Sequence, residues 1–464
     1  MDTLPHRVLT FYGDDFTGSS AVMEVMTFAG LPTVMFLEPP DPARLERFAA
    51  YRAIGIASTA RSMGPGWMDA HLPAAFEALK ALGAPVAHYK VCSTFDSAPD
   101  LGSIGRAIEL GAPVFGARVV PLVTAAPQIG RWQAFGNLFA AFDGAVHRLD
   151  RHPVMARHPA TPMHEADLAR HLAAQTEWPT ALIDLLALKA GEGVARLGAE
   201  RAAVGEGDPP RIVSMDVVDG ETLAAVGAAL WAEAGRGVFA AGSQGVEYAL
   251  IAHWRDAGLL APPEPVAPIA AVDRMIAVSG SVSPTTAAQI AHAEARGFAV
   301  QPLDVAATVD DAAWVTALEA AIGAASAAIE AGRIPLIVTA RGPDDPAVAR
   351  FDAALDRTGT ARGEAARRIG RGLGRIVREL VSRHRLTRAV ISGGDTSGYA
   401  TAELGVYALS ALAPLAPGAP LCRTWADDPA FDGLELALKG GQMGAADFFV
   451  ASTGRMTDAP AAMA

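Results

Sequence analysis

Leu9-Thr10-Phe11-Tyr12-Gly13-Asp14-Asp15-Phe16-Thr17-Gly18-Ser19-Ser20 reads as a strand, a turn and the opening of a helix. The first four residues are apolar or β-branched and suit a buried strand. Glycine and two acids interrupt them, and residues 21–29 return to a helical composition. The order recurs. Residues 33–37 and 53–57 suit further strands, and 114–123 is apolar but broken by glycine and proline. Residues 275–278, 336–338 and 389–391 suit buried strands, each followed by a Gly/Ser/Thr/Asp loop and an Ala-rich helix. This alternation predicts α/β architecture with largely parallel sheets flanked by helices.

A chain of 464 residues has room for two or three domains. The sharpest boundary lies at Pro262, Pro263, Pro265 and Pro268, four prolines in seven residues, which resist both helix and central strand. It predicts two domains, 1–258 and 269–464, joined by a linker at 259–268. Residues 317–332 predict a helix packed through small side chains, and the tail after Ser452 is expected to fray.

Half of the residues (51%) are hydrophobic and 19% are charged, which excludes a mostly disordered chain. The net charge of −12 argues against a nucleic-acid partner. No uninterrupted apolar stretch of membrane-spanning length is evident. Cys92 and Cys422 are too few and too far apart for a disulfide framework or a CxxC metal site. The first residues lack a secretory pattern. A cytoplasmic protein is the expectation. In so acidic a chain, anionic ligands need dedicated local cations.

Six loops carry candidate chemistry. Asp14 and Asp15 follow the first strand, at the edge where open α/β sheets bind ligands. Paired carboxylates there can orient hydroxyls or accept a proton. A helix cap competes as an explanation, but a cap needs one such residue. Arg61, after the 53–57 run, can clamp a carboxylate. Lys90, followed by Cys92-Ser93-Thr94-Phe95-Asp96-Ser97, suits a polyhydroxylated ligand, with an Asx or Ser turn as the competing reading. Cys92 itself is expected to pack as a small buried residue.

Ser279-Gly280-Ser281-Val282-Ser283 opens a helix and can admit an anion to backbone amides. Ser392-Gly393-Gly394-Asp395-Thr396-Ser397-Gly398 repeats that logic. Lys439-Gly440-Gly441 can touch phosphate. Neither a Walker loop nor a GxGxxG fingerprint is present. Gly130-Arg131 and Gly136-Asn137-Leu138-Phe139 bracket a polar loop suited to substrate contacts, and Gly242-Ser243-Gln244-Gly245 is one more strand-to-helix turn. The run His147-Arg148-Leu149-Asp150-Arg151-His152 lacks metal-ligand spacing and suits a surface loop.

Taken together, these loops resemble the four-carbon acid sugar kinase family. The matching residues are Asp14-Asp15-Phe16-Thr17-Gly18, Lys90 with residues 93–97, Gly130-Arg131, the segment 153–175, Ser279–Ser283, residues 393–397 and Lys439-Gly440-Gly441 through Gly444. They run in the family's order over nearly the whole chain. The last loop reads Lys-Gly-Gly-Gln-Met-Gly where the family usually has Lys-Ser-Gly-Asn-Phe-Gly. Residues 126–132 also depart from the family, which leaves the exact acid open; the family includes kinases for branched acids such as 3-oxo-isoapionate, and a divergent member of that kind is one reading.

The resemblance implies an N-terminal domain for a sugar acid and a C-terminal domain for ATP, with an active-site cleft between them. The reaction implied is phosphorylation of a terminal hydroxyl of threonate, erythronate, 3-oxo-tetronate or 3-oxo-isoapionate. Asp14, Asp15, Arg61, Lys90, Ser93, Thr94, Asp96 and Arg131 would meet the sugar acid, with Asp15, then Asp14, as the proton acceptor. Ser279, Ser281, Gly393, Gly394, Asp395, Thr396, Gly440 and Gly441 would meet the nucleotide, and Asp395 would contact Mg²⁺ through water. Homo-oligomerisation is left open. Two other classes compete: a non-catalytic sugar-acid binder on the same fold, and an NAD-dependent dehydrogenase. The missing GxGxxG counts against the dehydrogenase, and the intact acid pair counts against the binder.

Overall fold

The computed structural model describes residues 3–158 and 161–455; the side chain of Asp395, and the tail from 456 onward, lie outside the described residues. The chain forms two compact units that divide between Glu264 and Pro265. Residues 261–275 carry no regular secondary structure.

In the N-terminal unit the strands are β1 (Leu9–Gly13), β2 (Thr33–Phe36), β3 (Ala53–Ala57), β4 (Val86–Lys90), β5 (Val119–Val123), β6 (Arg131–Ala134), β7 (Asn137–Phe142), β8 (Ala145–Arg148), β9 (Thr180–Ile183), β10 (Arg211–Met215) and β11 (Val238–Gly242). Eight of them form a sheet in the order β2-β3-β1-β4-β11-β5-β10-β9, every neighbour parallel. The central strands β1, β4 and β11 are buried along their whole length rather than at alternate positions, as in a parallel sheet covered on both faces. Strands β6, β7 and β8 form a separate antiparallel sheet.

Side chains alternate along a strand. On one face of the main sheet, Tyr12 of β1 stacks beside its register partner Tyr89 of β4, and Phe76 meets both edge-on. Phe239 and Phe115 extend that layer. Burying each such ring stabilises the fold by about 1.5–3 kcal/mol. His88 and Lys90 of β4 lie on the opposite face, towards the helices Phe16–Phe28 and Gly245–Asp256.

The C-terminal unit contains β12 (Ile276–Ser279), β13 (Ala299–Pro302), β14 (Pro335–Val338), β15 (Arg388–Ser392), β16 (Val406–Ala416), β17 (Ala419–Ala426) and β18 (Glu435–Lys439). Their order is β13-β14-β12-β15-β18-β17-β16. The first five are parallel, and β17 runs antiparallel to both neighbours.

The Ala-rich stretch forms the helix Asp311–Glu330, which by length and composition is apolar enough to cross a membrane. It is not an uninterrupted apolar stretch, because Glu319 and Gly323 lie within it. Alanine dominates the sequence without interrupting the hydropathy. The helix packs on the turn Val305–Val309 and on the helix Arg362–His384, burying Trp314, Leu318, Ile322 and Ala325.

Arg388, fully buried at the start of β15, ties distant backbone together. It donates to Ser452 O (3.0 Å), Ala270 O (2.9 Å) and Glu435 Oε2 (2.7 Å). Replacement by Met strands these acceptors. Since Glu435 is partly exposed, the expected loss is about 3 kcal/mol, the low end for a broken buried pair. Urea unfolding would show it as a lower midpoint with an unchanged slope.

Candidate active site

Both sheets have a topological switch point. In the N-terminal unit the chain leaves β1 for β2 and β3 on one side and returns with β4 on the other. Gly13 pairs with Ala57 and Lys90, and Lys90 with Gly242, so the ends of four strands align at one carboxyl edge. Ligands bind at such edges.

Asp15 caps the helix Phe16–Phe28, its Oδ1 accepting from Gly18 N at 2.9 Å. The competing reading, a helix cap, thus holds for Asp15. Asp14 is 1% exposed, and its N–H donates to Lys90 O. Arg61 donates from Nη2 to Asp14 Oδ1 (2.6 Å), from Nε to Asp14 Oδ2 (3.1 Å), and from Nη2 again to Asp15 Oδ1 (2.8 Å). Burial pushes the Asp14 carboxyl up to about 6; Arg61 opposes the rise and Asp15 adds to it. Burial also opposes the Arg61 charge, but Asp14 and Asp15 hold that guanidinium well above its ordinary value.

Lys90 is buried, donates to Val91 O at 2.6 Å, and lies against Gly18. A Cβ at Gly18 would stand 2.4 Å from Asp15 Oδ1 and 2.8 Å from Nζ, so a side chain there would displace one or both charged groups.

The loop after β4 turns back through Phe95, which has φ 59° and is fully buried. Thr94 donates to Asp96 Oδ1 (2.6 Å), and Cys92 Sγ lies 3.0 Å from Thr94 Oγ1. Cys92 is half-buried, not packed in a core as its composition suggested. It borders the charged cluster, where burial pushes its thiol up. Ser93 is half-buried. Ser97 bonds His171 Nε2 and accepts from Gln175 Nε2, both at 2.9 Å.

Arg131, at the start of β6, makes hydrogen bonds only to carbonyls, at Gly130 (2.9 Å) and Ile129 (3.3 Å). It has no ion pair among the described residues, and its Nε is buried without a partner. Burial lowers its proton affinity, while the nearby Cys92 and Asp96 offset that. The two arginines therefore differ in the donors they leave free. Arg61, expected to clamp a substrate carboxylate, spends Nε and Nη2 on Asp14 and Asp15, whereas Arg131 keeps donors unspent.

In the C-terminal unit the switch point lies between β12 and β15. Gly280 N donates to Ser392 O, and Gly393 N to Lys439 O, both at 2.8 Å. Gly393 has φ 140°, open to glycine alone, and a Cβ on Gly280 would collide with Thr396 Oγ1 at 2.4 Å. The two glycines let the Thr396 hydroxyl stand between the strand ends. The helix Gly394–Glu403 begins without a side-chain cap.

The loop after β18 turns its carbonyls inward. Gly441 O accepts from Ser283 and from Thr286 (3.0 Å). Buried Gln289 donates to Met443 O (2.9 Å), Gly444 O (3.0 Å) and Ala445 O (2.9 Å). In a trans peptide the amide opposes the carbonyl, so the N–H groups that follow these carbonyls face away from the helix Pro284–Ala295, which carries Thr286 and Gln289. Outward amides in succession suit an anion. Lys439 is buried, donating to Thr286 Oγ1 (3.2 Å) and Gly440 O (3.0 Å), and burial lowers it to about 8.

Comparison with known proteins identifies the family. Family models for a sugar-binding N-terminal domain and a nucleotide-binding C-terminal domain match residues 9–250 and 276–449. The chain belongs to the four-carbon acid sugar kinase family. A 3-oxo-isoapionate kinase of Paraburkholderia graminis is 49% identical over 95% of this chain and 93% of its own. A 3-oxo-tetronate kinase of Methylobacterium radiotolerans is 33% identical over 94% and 96%. A crystal structure of a Haemophilus influenzae protein shares the fold at TM-score 0.69 and 23% identity, covering 96% of this chain and 99% of that one.

Three residues near the N-terminal site were not named individually from sequence, although His171 and Gln175 lie within the segment 153–175 that carries part of the resemblance. His171 and Gln175 brace Ser97 across more than seventy positions. Asp216, fully buried, accepts from Phe135 N (2.6 Å), Gly136 N (3.0 Å) and Leu185 N (3.1 Å), and so fixes the hairpin that begins at Arg131. Only the His-x₃-Gln spacing at the end of a short helix could have flagged the first two. The metal role expected of Asp395 falls on a side chain outside the described residues.

Proposed function

We propose that this chain is an ATP-dependent kinase that phosphorylates a hydroxyl of a branched sugar acid of the 3-oxo-isoapionate type. The observation that carries this reading is the network of buried Asp14 with the half-buried Arg61 and Asp15, beside Lys90 and the unpaired Arg131, on one carboxyl edge. The branched acid is preferred over the linear one because 49% identity to the 3-oxo-isoapionate kinase exceeds 33% to a 3-oxo-tetronate kinase.

In this reading the N-terminal unit holds the sugar acid. Arg131 takes its carboxylate, Lys90 offers a second cation, and Thr94 and Asp96 meet its hydroxyls or carbonyl. Asp15 orients the attacking hydroxyl and accepts its proton at Oδ2, the oxygen left over from the cap and Arg61 contacts. Asp14 fixes Arg61, which in turn fixes Asp15. The C-terminal unit holds ATP, with its phosphates against Ser279–Ser283, the amides after Gly393, and the loop at Gly440 and Gly441. Lys439 adds charge beneath that loop. Catalysis of this kind is mostly positioning and electrostatic stabilisation.

No group of three or more His, Cys, Asp or Glu side chains among the described residues could hold a metal ion. The donors here are hydroxyls, with Ser392 Oγ buried and unpartnered. That set suits Mg²⁺ carried by phosphate oxygens and water, with Ser279 and Thr396 as protein contacts. When bound, Mg²⁺ neutralises phosphate charge.

The assay is ADP release with ATP and a panel of linear and branched C4 and C5 sugar acids. The highest kcat/KM is expected for 3-oxo-isoapionate. No release with any acid would rule out the kinase reading.

The pH profile follows from the two buried groups. Asp14 ionises near 6, so kcat/KM for the sugar acid falls as pH drops through about 6, where the anion that fixes Arg61 is lost. Lys439 discharges near 8, so kcat/KM for ATP falls as pH rises through about 8. Lys439→Met should flatten the alkaline limb alone. For stability the sign differs. The raised Asp14 value gives a contribution fully present below 3.8 and lost as pH rises through about 6.

A further inference from the structure

His88 and Glu247 form a buried pair that the proposed chemistry leaves unused. Both are essentially unexposed, with His88 Nδ1 2.6 Å from Glu247 Oε1. The other ring nitrogen, Nε2, lies 3.0 Å from Gly242 O. A carbonyl only accepts, so Nε2 carries a proton, and a second proton lies between Nδ1 and the carboxylate. Glu247 Oε2 is buried without a partner. Burying such a pair is costly where apolar side chains would pack as well.

The pair leads to the site in two steps. Gly242 O also accepts from Val91 N at 2.7 Å. Val91 O, at the other end of that residue, accepts from Lys90 Nζ at 2.6 Å. Glu247, His88, Gly242, Val91 and Lys90 thus form one hydrogen-bonded chain ending on a cation. His88 and Lys90 are also two positions apart on one face of β4.

We propose that His88, held by Glu247, is a positioning residue that sets the Lys90 ammonium through the Gly242 carbonyl and Val91. Sugar-acid binding then depends on a pair that touches no substrate. The proposal rests on the assignment of Lys90 to the sugar acid.

Steady-state kinetics on the full chain test it, with KM for the sugar acid and for ATP read separately. His88→Asn can keep the bond to Glu247 but cannot reach Gly242. It should raise the sugar-acid KM about tenfold, the worth of one charged hydrogen bond, and leave the ATP KM unchanged. His88→Gln places its amide nitrogen near the Nε2 position and should restore most of the affinity. In a Lys90→Met background, His88→Asn should add no further rise, because the effect acts through the removed ammonium. Glu247→Gln keeps the packing volume and should give a smaller rise of the same selectivity, which serves if the histidine variants do not fold. Equal KM values for the Asn and Gln variants, an additive effect in the Lys90→Met background, or a parallel rise in the ATP KM would overturn the proposal. If Lys90→Met itself leaves the sugar-acid KM unchanged, the assignment of Lys90 fails and the positioning role with it. If Lys90→Met raises that KM and neither His88→Asn nor Glu247→Gln does, only the positioning role fails.

Discussion

Replacing Asp15 with asparagine is expected to lower kcat by about 10²–10⁴, the usual worth of a positioned base. Asparagine keeps the shape and the capping oxygen, and it caps helices as well as aspartate does. The bond from Gly18 N to Oδ1 can therefore survive. What is lost is the second oxygen, which becomes an amide that cannot take a proton. The thermal midpoint should hold within a few degrees while turnover collapses, and both should be measured on the same preparation. A kcat within about tenfold of the parent enzyme would remove Asp15 from the base role. The raised Asp14 would be the next candidate.

Arg131→Met carries the second large effect, a rise in the sugar-acid KM or Kd of about 100-fold. A guanidinium with unspent donors facing a carboxylate makes charge-assisted, bidentate hydrogen bonds, and each is worth roughly 1.5–3 kcal/mol. Within the fold Arg131 makes only two carbonyl contacts, so methionine should cost little stability. Arg131→Lys should recover only part of the affinity, because a point charge does not reproduce the planar fork. Calorimetric titration with the sugar acid reads both variants. Unchanged affinity, or full recovery by lysine, would move the carboxylate to Lys90 or Arg61.

Much of the fold was legible because its signals are local. The runs before Asp14, Ser279 and Gly393 are short, apolar and followed by glycine-rich turns, and each became a parallel strand ending at a ligand edge. The antiparallel strands were less legible. Strand β16 (Val406–Ala416) is rich in alanine, a helix former, and the local signals that argue against a helix there, Pro414, the Pro417-Gly418 turn and Pro420 at the start of strand β17 (Ala419–Ala426), were not read as a hairpin. The small sheet of β6, β7 and β8 was seen only as a polar loop around Gly130 and Gly136. Its shape depends on Asp216, a residue with no local signal.

The chain alone determined the α/β class, the loops that carry carboxylates, hydroxyls and glycines, and the few cations available to an anionic ligand. Hydrophobic pattern and turn chemistry act over a handful of residues, so one strand and its loop suffice to express them. Only the tertiary structure decided how those groups divide the work. Arg61 meets Asp14 across 47 positions, and Gln289 reaches the loop at Met443 across 154. Burial then sets the charges. Asp14 moves to about 6, Lys439 to about 8, and Arg131 is left without an acidic partner among the described residues. Solvent exclusion and partner choice are properties of the packed sheet edge, where the same aspartate or arginine takes a different role according to what surrounds it.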